Sequence, residues 1–200
     1  MIFLDVETTG LKKEKHSIAS VGAVYLEYPN HRFYEECRIW DGAEIEEEAL
    51  KINGFTRESL ADPKKHSLKE TMISFLKWAS ECRDKTLGGE NPSFDREFIS
   101  SSLGRYSIKS PFGARTIDLH TTSYNHHKMR GVPIPINKER TNISLDTTLE
   151  YAGLPAEPKP HHALNGALME AEAYNRLIYG RKLLPEFSSH KIPVYLIQHR

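Results

Sequence analysis

Residues 1–10, MIFLDVETTG, carry the clearest structural signal in the chain. The apolar residues at its start predict a buried strand, and two acidic residues follow at once. Because successive side chains of a strand point to opposite faces, Asp5 and Glu7 point the same way. Two carboxylates on one face repel each other, and a divalent cation removes that cost. The stretch therefore predicts a metal site at the end of a buried strand, with an acidic strand end exposed to water as the alternative.

Length and composition predict a single globular domain. The chain has 200 residues, of which 38% are hydrophobic and 27% charged, and this excludes wholesale disorder and collagen-like repeats. No apolar run reaches the roughly 18–20 residues that cross a bilayer, so we expect no membrane partner. The start of the chain lacks the basic region of a secretory signal, and the two cysteines, Cys37 and Cys82, are too few for a disulfide framework. We therefore expect a cytoplasmic protein.

The charges balance overall but not along the chain. There are 27 Lys and Arg residues and 27 Asp and Glu residues, which argues against a protein that holds polyanions by bulk positive charge. Residues 1–100 hold 14 basic and 19 acidic residues, whereas residues 101–200 hold 13 and 8. The basic residues are dense between positions 105 and 140. This stretch is either a solvated face or a rim that contacts the substrate.

Hydrophobic periodicity predicts strands first and helices later. Strands are expected at residues 1–6, 17–26, 32–40 and 86–89, and helices at 44–52, 67–81, 92–103, 116–123, 144–152 and 161–179. Ser67 and Glu70 predict a capping box at the start of the second helix. Residues 124–142 predict a loop, and residues 157–160 a proline-containing link. This order indicates a mixed α/β sheet domain.

Two further segments carry residue types that suit a catalytic site. Residues 88–95, GGENPSFD, predict a strand–loop–helix junction with Asp95 in the first helical turn, where Asp is common in any case. The last predicted helix opens with His161 and His162, and a histidine near carboxylates is a candidate general base. Each segment alone is a weak indication.

Together with residues 3–10, these segments resemble the motifs of the DnaQ-like, or DEDDh, 3′→5′ exonucleases. FLDVETTG at 3–10 is similar to the first motif, and GENPSFDREFI at 89–99 to the second, whose usual form is HNxxFDxxFL. HHALNGALMEAEAY at 161–174 resembles the third, whose usual form is HxALxDAxxxA. Residues 53–56, 116–119 and 144–154 also match connecting segments of the family. The resemblance covers about residues 1–179.

The resemblance implies a ribonuclease-H-like α/β fold with a five-stranded mixed β-sheet flanked by α-helices. It implies an exonuclease domain at residues 1–180, and we expect residues 181–200 to form a C-terminal extension packed on that domain. Asp5, Glu7 and Asp95 would be three of four metal-binding carboxylates for two Mg²⁺ or Mn²⁺ ions, and His161 would be the general base. Implied substrate contacts are Thr8, Thr9, Gly10, Leu11 as a wedge beside the terminal base, Asn53, Gly54, Phe55, Asn91 and Phe94.

The chain departs from the family at the fourth carboxylate, because the residue five positions after His161 is Gly166. Glu170 lies one helical turn further on the same face, and we favour it as the catalytic and metal-binding substitute. A degenerate site that binds nucleic acid without cutting it is a second explanation. An introduced change at position 166 is a third.

The sequence thus predicts an enzyme that releases nucleoside monophosphates from the 3′ ends of single-stranded DNA or RNA by a two-metal-ion mechanism. The alternatives are a catalytically impaired binding module on the same fold and a phosphodiesterase for very short oligonucleotides. No residue identifies a reader of the 2′-hydroxyl, so the choice between DNA and RNA stays open. A homodimer stays open as well.

Overall fold

Five strands form a mixed sheet at the centre of the structure, a computed structural model that describes residues 1–197. The strands are β1 (Ile2–Thr8), β2 (Ile18–Tyr25), β3 (Arg32–Glu36), β4 (Leu87–Gly89) and β5 (Thr116–Asp118), and a separate hairpin is formed by β6 (Ile136–Asn137) and β7 (Arg140–Thr141). The sheet order is β3-β2-β1-β4-β5, with β2 antiparallel to β1 and β3, and β4 parallel to β1 and β5. The predicted α/β fold with a five-stranded mixed sheet is confirmed.

Helices cover both faces of this sheet. They are α1 (Glu47–Asn53), α2 (Arg57–Ala61), α3 (Leu68–Ser80), α4 (Pro92–Arg105), α5 (Leu119–Arg130), α6 (Leu145–Tyr151), α7 (Ala163–Tyr179) and α8 (Val194–Ile197). Leu4 of β1 packs in the core with Phe75 of α3, whereas Phe3 packs with Ala167 and Ala171 of α7. The alternation of side chains along β1 thus places α3 on one face and α7 on the other. Within residues 1–197, no helix has both the length and the apolarity that crossing a bilayer requires.

Gly22 of β2 brings the first turn of α7 close to the sheet. A Cβ atom on Gly22 would lie 2.1 Å from the main-chain carbonyl carbon of Ala163, so no side chain fits between the strand and the helix. Gly22 is also directly opposite Asp5 in the antiparallel pairing of β2 with β1. The missing side chain therefore sets the start of α7 against the acidic end of β1.

The predicted ends of two strands were wrong. β1 continues to Thr8, because its pairing with β2 extends to Ile18 past an irregularity after Glu7. β3 ends at Glu36 instead of residue 40, since its pairing with β2 ends opposite Ser20.

The prediction for residues 116–142 was wrong in two places. Residues 116–118, expected to be helical, pair with β4 and form β5, after which Asp118 caps α5 by accepting a hydrogen bond from the His120 main-chain N–H at 2.9 Å. Within the expected loop, α5 continues to Arg130 and is followed by the β6–β7 hairpin. Lys138 and Glu139 turn this hairpin with φ angles of 47° and 62°, which are typical of a two-residue hairpin turn.

A fully buried ion pair on α7 holds the segment that follows the helix. Arg176 Nε donates to Glu172 Oε1 at 2.7 Å, and both side chains are 0% exposed. The guanidinium also donates to main-chain carbonyl oxygens of residues 152, 153, 187, 190 and 191. The Glu172 carboxylate accepts the main-chain N–H groups of Leu183 and Leu184. A domain boundary at residue 180 stays a prediction, and residues 198–200 of the expected extension lie outside the described residues.

Candidate active site

A cleft of about 450 Å³ opens at the carboxyl end of β1. It is bordered by α1, by the first turns of α4 and α6, and by Glu170 of α7. The predicted site residues that line it are Asp5, Glu7, Thr8, Gly10, Leu11, Asn53, Phe94, His161 and Glu170. The fold therefore brings residues from four separate segments of the chain to one cleft.

Asp95 reaches this site because one edge of β1 is left open. β4 pairs with β1 at Ile2 and Phe3, so the β1 edge beyond these residues needs another partner. There the Val6 main-chain N–H donates to Asp95 Oδ1 at 3.0 Å. Asp95 lies in the first turn of α4, is 5% exposed and sits behind the cleft surface. It thus completes the edge of β1 and adds a third carboxylate to its acidic end.

Glu170 lies in the cleft on the side of β4. The residue is 4% exposed, and its Oε1 accepts the Glu90 main-chain N–H at 2.9 Å. Its Oε2 is buried and has no hydrogen-bond partner. A Cβ atom on Gly89 would lie 3.1 Å from this Oε2. One carboxylate oxygen thus holds the chain after β4, and the other is free for a cation.

Glu157 is a carboxylate of the cleft that sequence reasoning missed. It belongs to the link before α7, which the sequence predicts only as a connection. Its side chain is 6% exposed and lines the cleft, and its Oε2 lies 3.5 Å from His161 Nδ1. Its Oε1 is buried and has no hydrogen-bond partner. The only available signal was an acidic residue four positions before the predicted base.

Burial and mutual repulsion raise the pKa values of these carboxyl groups. The pKa of Asp5 is about 7, because burial disfavours the charged form and Glu157 repels it. The pKa of Glu7 is about 8, because burial disfavours its charged form and Asp5 repels it. Burial, followed by repulsion from Asp5, raises the pKa of Asp95 and of Glu170 well above the usual range. Uncompensated negative charge is therefore unfavourable throughout this cleft.

The donor groups of the cleft fit a divalent cation. Carboxylate oxygens are the ligands that Mg²⁺ and Mn²⁺ prefer, and Glu157 and Glu170 each hold a buried oxygen without a partner. A cation would also offset the repulsion between Asp5 and Glu7. Within residues 1–197, no three Asp, Glu, His or Cys side chains surround one point as a formed metal site does. The assignment of individual ligands therefore stays a prediction.

The structure separates the two adjacent histidines. His161 lines the cleft, its side chain is 35% exposed, and its main-chain N–H donates to the Ile52 carbonyl at 2.9 Å. His162 is the N-cap residue of α7 and stacks on Tyr34, with the ring centroids 4.1 Å apart. Of the two, His161 is the one whose ring contacts a carboxylate of the cleft.

The turn after β1 is tightly packed against neighbouring residues. A Cβ atom on Gly10 would lie 2.7 Å from the His16 ring, so glycine is needed there. Thr8 Oγ1 donates to the Gly10 carbonyl at 2.8 Å, and Asn53 Nδ2 donates to the Thr8 carbonyl at 3.0 Å. Leu11 follows the turn with 75% of its surface exposed. The turn thus holds an exposed apolar side chain at the mouth of the cleft.

Four other predicted substrate contacts do not line this cleft. Thr9 is 0% exposed, and its hydroxyl makes two hydrogen bonds to the main chain, which places it inside the turn. Gly54 and Phe55 line an adjacent cavity of about 340 Å³. Asn91 is the exposed N-cap residue of α4 and has a φ of 51°.

The cleft is strongly acidic. Eight of its lining residues are Asp or Glu, and none of those within residues 1–197 is Lys or Arg. The basic stretch at 105–140 contributes no residue to this lining, so its role as a substrate rim stays a prediction. A cleft of this charge repels a phosphate unless cations are bound in it.

Residues 2–174 match the RNase_T family model, which is described as Exonuclease. The chain belongs to this exonuclease family. The RNase_T exonucleases are DnaQ-like, or DEDDh, 3′→5′ exonucleases of the ribonuclease-H-like superfamily, so the chain is placed among enzymes that hydrolyse phosphodiester bonds.

Relatives of this RNase_T exonuclease differ in length. Ribonuclease T of Marinobacter nauticus is 27% identical in an alignment that covers 72% of this chain and 76% of that protein. DNA polymerase III PolC-type of Thermotoga maritima is 28% identical in an alignment that covers 88% of this chain but 12% of that protein. Ribonuclease T of Haemophilus influenzae is 23% identical in an alignment that covers 56% of each chain. The chain thus spans less than two thirds of the last two proteins.

Solved structures share the fold of this exonuclease. The nuclease domain of 3′hExo, a DEDDh family member bound to rAMP, superposes with a TM-score of 0.69 at 16% identity, covering 92% of this chain and 93% of that one. E. coli exonuclease I in complex with a dA16 oligonucleotide superposes with a TM-score of 0.70 at 18% identity, covering 90% of this chain and 40% of that one. At these identities the likeness shows the fold alone.

Proposed function

We propose that this chain is a metal-dependent 3′→5′ exonuclease that releases nucleoside monophosphates from single-stranded 3′ ends. The observation that carries the proposal is the meeting of Asp5, Glu7, Glu170 and His161 in one cleft at the end of β1. Asp95 supports the same strand end from behind. Paired carboxylates can hold the cations of a metal-assisted phosphodiester hydrolysis, and a nearby histidine can accept the proton of the attacking water.

The proposed ligands of two cations are Asp5, Glu7, Asp95 and Glu170. When bound, Mg²⁺ or Mn²⁺ would make water a better nucleophile and neutralise the charge of the phosphate. His161 accepts the proton of the attacking water, because its imidazole borders the cleft and is open to solvent. Glu157, 3.5 Å from His161 Nδ1, orients the ring and places a negative charge beside the imidazolium that forms.

The shape of the cleft favours a strand end over a duplex. Leu11 projects from the turn after β1, and Phe94 lies across the cleft in the first turn of α4. We propose that these side chains hold the terminal base, with Thr8, Gly10 and Asn53 shaping the surface beneath it. The acidic lining offers no cationic groove for a long duplex. A short terminal segment of a single strand is therefore the proposed substrate.

Both nucleic acids stay candidates as substrates. The structural neighbour 3′hExo was solved with rAMP, and exonuclease I with a dA16 oligonucleotide. The curated relatives include Ribonuclease T proteins and a PolC-type DNA polymerase III. We therefore propose single-stranded DNA or RNA ends without choosing between them.

A binding module without activity is the competing function, and Gly166 is the feature that favours it. Two buried carboxylates, Glu157 and Glu170, weigh against this alternative, since each keeps an unpaired oxygen within the cleft. A module that only binds a polyanion gains nothing from such groups.

We further propose a cytoplasmic protein, because Cys37 and Cys82 are free and buried, as is common in a reducing compartment. A homodimer stays a prediction.

The test is a cleavage assay on the full chain with 5′-labelled single-stranded DNA and RNA of several lengths, each with Mg²⁺, Mn²⁺ or EDTA. We expect stepwise shortening from the 3′ end with a cation and none with EDTA. Asp5→Ala should abolish cleavage, and Glu170→Gln should abolish it with Mn²⁺. Cleavage restricted to the shortest substrates would replace the proposal with a short-oligonucleotide phosphodiesterase. If the parent protein binds the strands without shortening them, the binding module is correct.

A further inference from the structure

Gly166 stands where the family motif has its fourth carboxylate, and its surroundings show what such a group would meet. A Cβ atom on Gly166 would lie 2.3 Å from Asp5 Oδ2 and 3.4 Å from Glu157 Oε1. A side chain at position 166 would thus clash with the Asp5 carboxylate and would be in ordinary contact with that of Glu157. Of these two residues, Glu157 comes from outside the motif.

The Glu157 side chain is built into the site. It is 6% exposed, and its Oε1 is buried without a hydrogen-bond partner. Burying a carboxylate oxygen without a hydrogen bond is energetically unfavourable unless another group in the site compensates its charge. Its other oxygen contacts His161 Nδ1 at 3.5 Å. The unpaired oxygen therefore points to a cation, and the paired one to the proposed base.

The link that carries Glu157 is held at its C-terminal end. The His161 main-chain N–H donates to the Ile52 carbonyl at 2.9 Å. A Cβ atom on Gly54 would lie 2.8 Å from the Pro160 ring, so the link packs directly on the turn after α1. These contacts fix the place from which the Glu157 side chain enters the cleft.

Glu170 occupies a different part of the site. Its bonded oxygen accepts the Glu90 N–H, and its free oxygen lies next to Gly89 at the end of β4. The charges that act on it are those of Asp5, Asp95 and Glu90. Glu157 instead acts on Asp5 and Glu7. Asp5 thus lies between two carboxylate groups, one at the β4 end and one beside Gly166.

We propose that Glu157 supplies the carboxylate that position 166 lacks, entering the metal site from the link before α7 instead of from the helix. Gly166 and Glu157 then act as a pair, because the Glu157 carboxylate lies within contact distance of the position that lacks one. Glu170 serves the opposite end of the site, with Asp95. The inference rests on the proposed metal-dependent exonuclease function.

The experiment measures Mn²⁺ binding by calorimetry, without substrate, on the full chain. Glu157→Gln keeps the shape of the side chain and removes its charge, and Glu150→Gln on the exposed face of α6 is the matched control. We expect Glu157→Gln to weaken Mn²⁺ binding at least tenfold and to lose most of the Mn²⁺-induced rise in melting temperature. Its metal-free melting temperature should equal or exceed that of the parent.

The possible results distinguish a failure of this inference from a failure of the proposed exonuclease function. A parent protein that neither binds Mn²⁺ nor cleaves a 3′ end overturns the proposed function and the inference together. If the parent does both and Glu157→Gln binds Mn²⁺ as tightly, the inference alone is overturned. Loss of binding in Glu170→Gln but not in Glu157→Gln would assign the replacement to Glu170 and also overturn it.

Discussion

The α-carbon of Gly22 lies so close to Ala163 that a Cβ atom there would sit 2.1 Å from the Ala163 carbonyl carbon. This contact sets the start of α7, and with it His161, against the acidic end of β1. We expect Gly22→Ala to lower the free energy of unfolding by about 1–3 kcal/mol, because the added methyl group overpacks the contact. It should also lower kcat, since the helix start must move. Urea unfolding and the cleavage assay measure the two effects.

Gly104 provides the control for this prediction. It lies near the end of α4, and nothing lies within 4 Å of the Cβ atom it lacks. Gly104→Ala should therefore raise the free energy of unfolding by up to about 1 kcal/mol through helix propensity. If both substitutions have the same effect, the close approach at Gly22 does not limit the fold.

The two histidines at the start of α7 should differ sharply in activity. His161→Ala is expected to lower kcat by about 10²–10⁴-fold, the usual contribution of a general base. His162→Ala should leave kcat within a few-fold, because the His162 ring stacks on Tyr34 outside the cleft. Single-turnover cleavage with saturating Mn²⁺ makes the comparison. Equal losses in the two variants would remove His161 from its proposed role.

Leu11 should contribute to substrate binding and not to stability. The side chain is 75% exposed at the mouth of the cleft, and burying a leucine against a base is worth about 1.5–3 kcal/mol. Leu11→Ala should then raise KM roughly ten- to hundred-fold with an unchanged melting temperature. Met129→Ala, at an 83% exposed residue of α5, is the control and should change neither quantity. A normal KM for Leu11→Ala would exclude the wedge.

Without a cation, the protein should lose stability as the pH rises. The pKa of Asp5 is about 7 and that of Glu7 about 8, against ordinary values of 3.8 and 4.5. The folded state therefore binds these protons more tightly than the unfolded state does. As the pH rises, ionising the two carboxyl groups costs more in the folded state, and the free energy of unfolding decreases. That free energy falls from about pH 4 to about pH 8. Melting temperatures in EDTA across this range measure the fall.

Asp5→Asn isolates the contribution of the carboxylate to that profile. The variant should melt higher than the parent at pH 8 in EDTA, by about 2–4 °C for each kcal/mol of repulsion removed. The difference should shrink towards pH 5, where the parent carboxyl group is protonated. Mn²⁺ should raise the melting temperature of the parent more than that of the variant. Parallel profiles for the two proteins would contradict the raised pKa of Asp5.

The buried pair of Arg176 and Glu172 should be essential for stability. Removing one partner of a buried, hydrogen-bonded ion pair typically costs about 3–5 kcal/mol, so Arg176→Met should strongly lower the free energy of unfolding. Arg57→Met is the matched control, because Arg57 pairs with Glu47 on the surface, with both side chains more than half exposed. That pair is worth at most about 1 kcal/mol. Equal costs would mean that the buried pair does not hold the C-terminal segment.

Much of the fold was predictable from local sequence, because apolar runs and helix caps depend on residues that are close together in the chain. The apolar run before Asp5 predicted β1, and Ser67 with Glu70 predicted the capping box that begins α3, which is confirmed. Residues 116–118 could not be recognised in the same way. They form a strand only because β4 offers them a parallel edge, and nothing in three residues encodes that edge.

The same distinction separates the site residues that could be predicted from the one that could not. Asp5, Glu7 and His161 were found from the alternation of a strand and the order of the motifs, which the chain carries in its own residues. Glu157 was missed, since a glutamate in a proline-containing link has no periodicity and no motif.

Residue patterns along the chain predicted the family, strand β1 and the acidic end of that strand. Three features emerge only in the folded chain: Thr9 is turned inward, Asp95 completes the β1 edge, and Glu157 lies beside Gly166. Periodicity and capping act within a few residues. Which carboxylates share a cleft depends instead on the close approach of α7 to β2 at Gly22, a contact between segments about 140 residues apart.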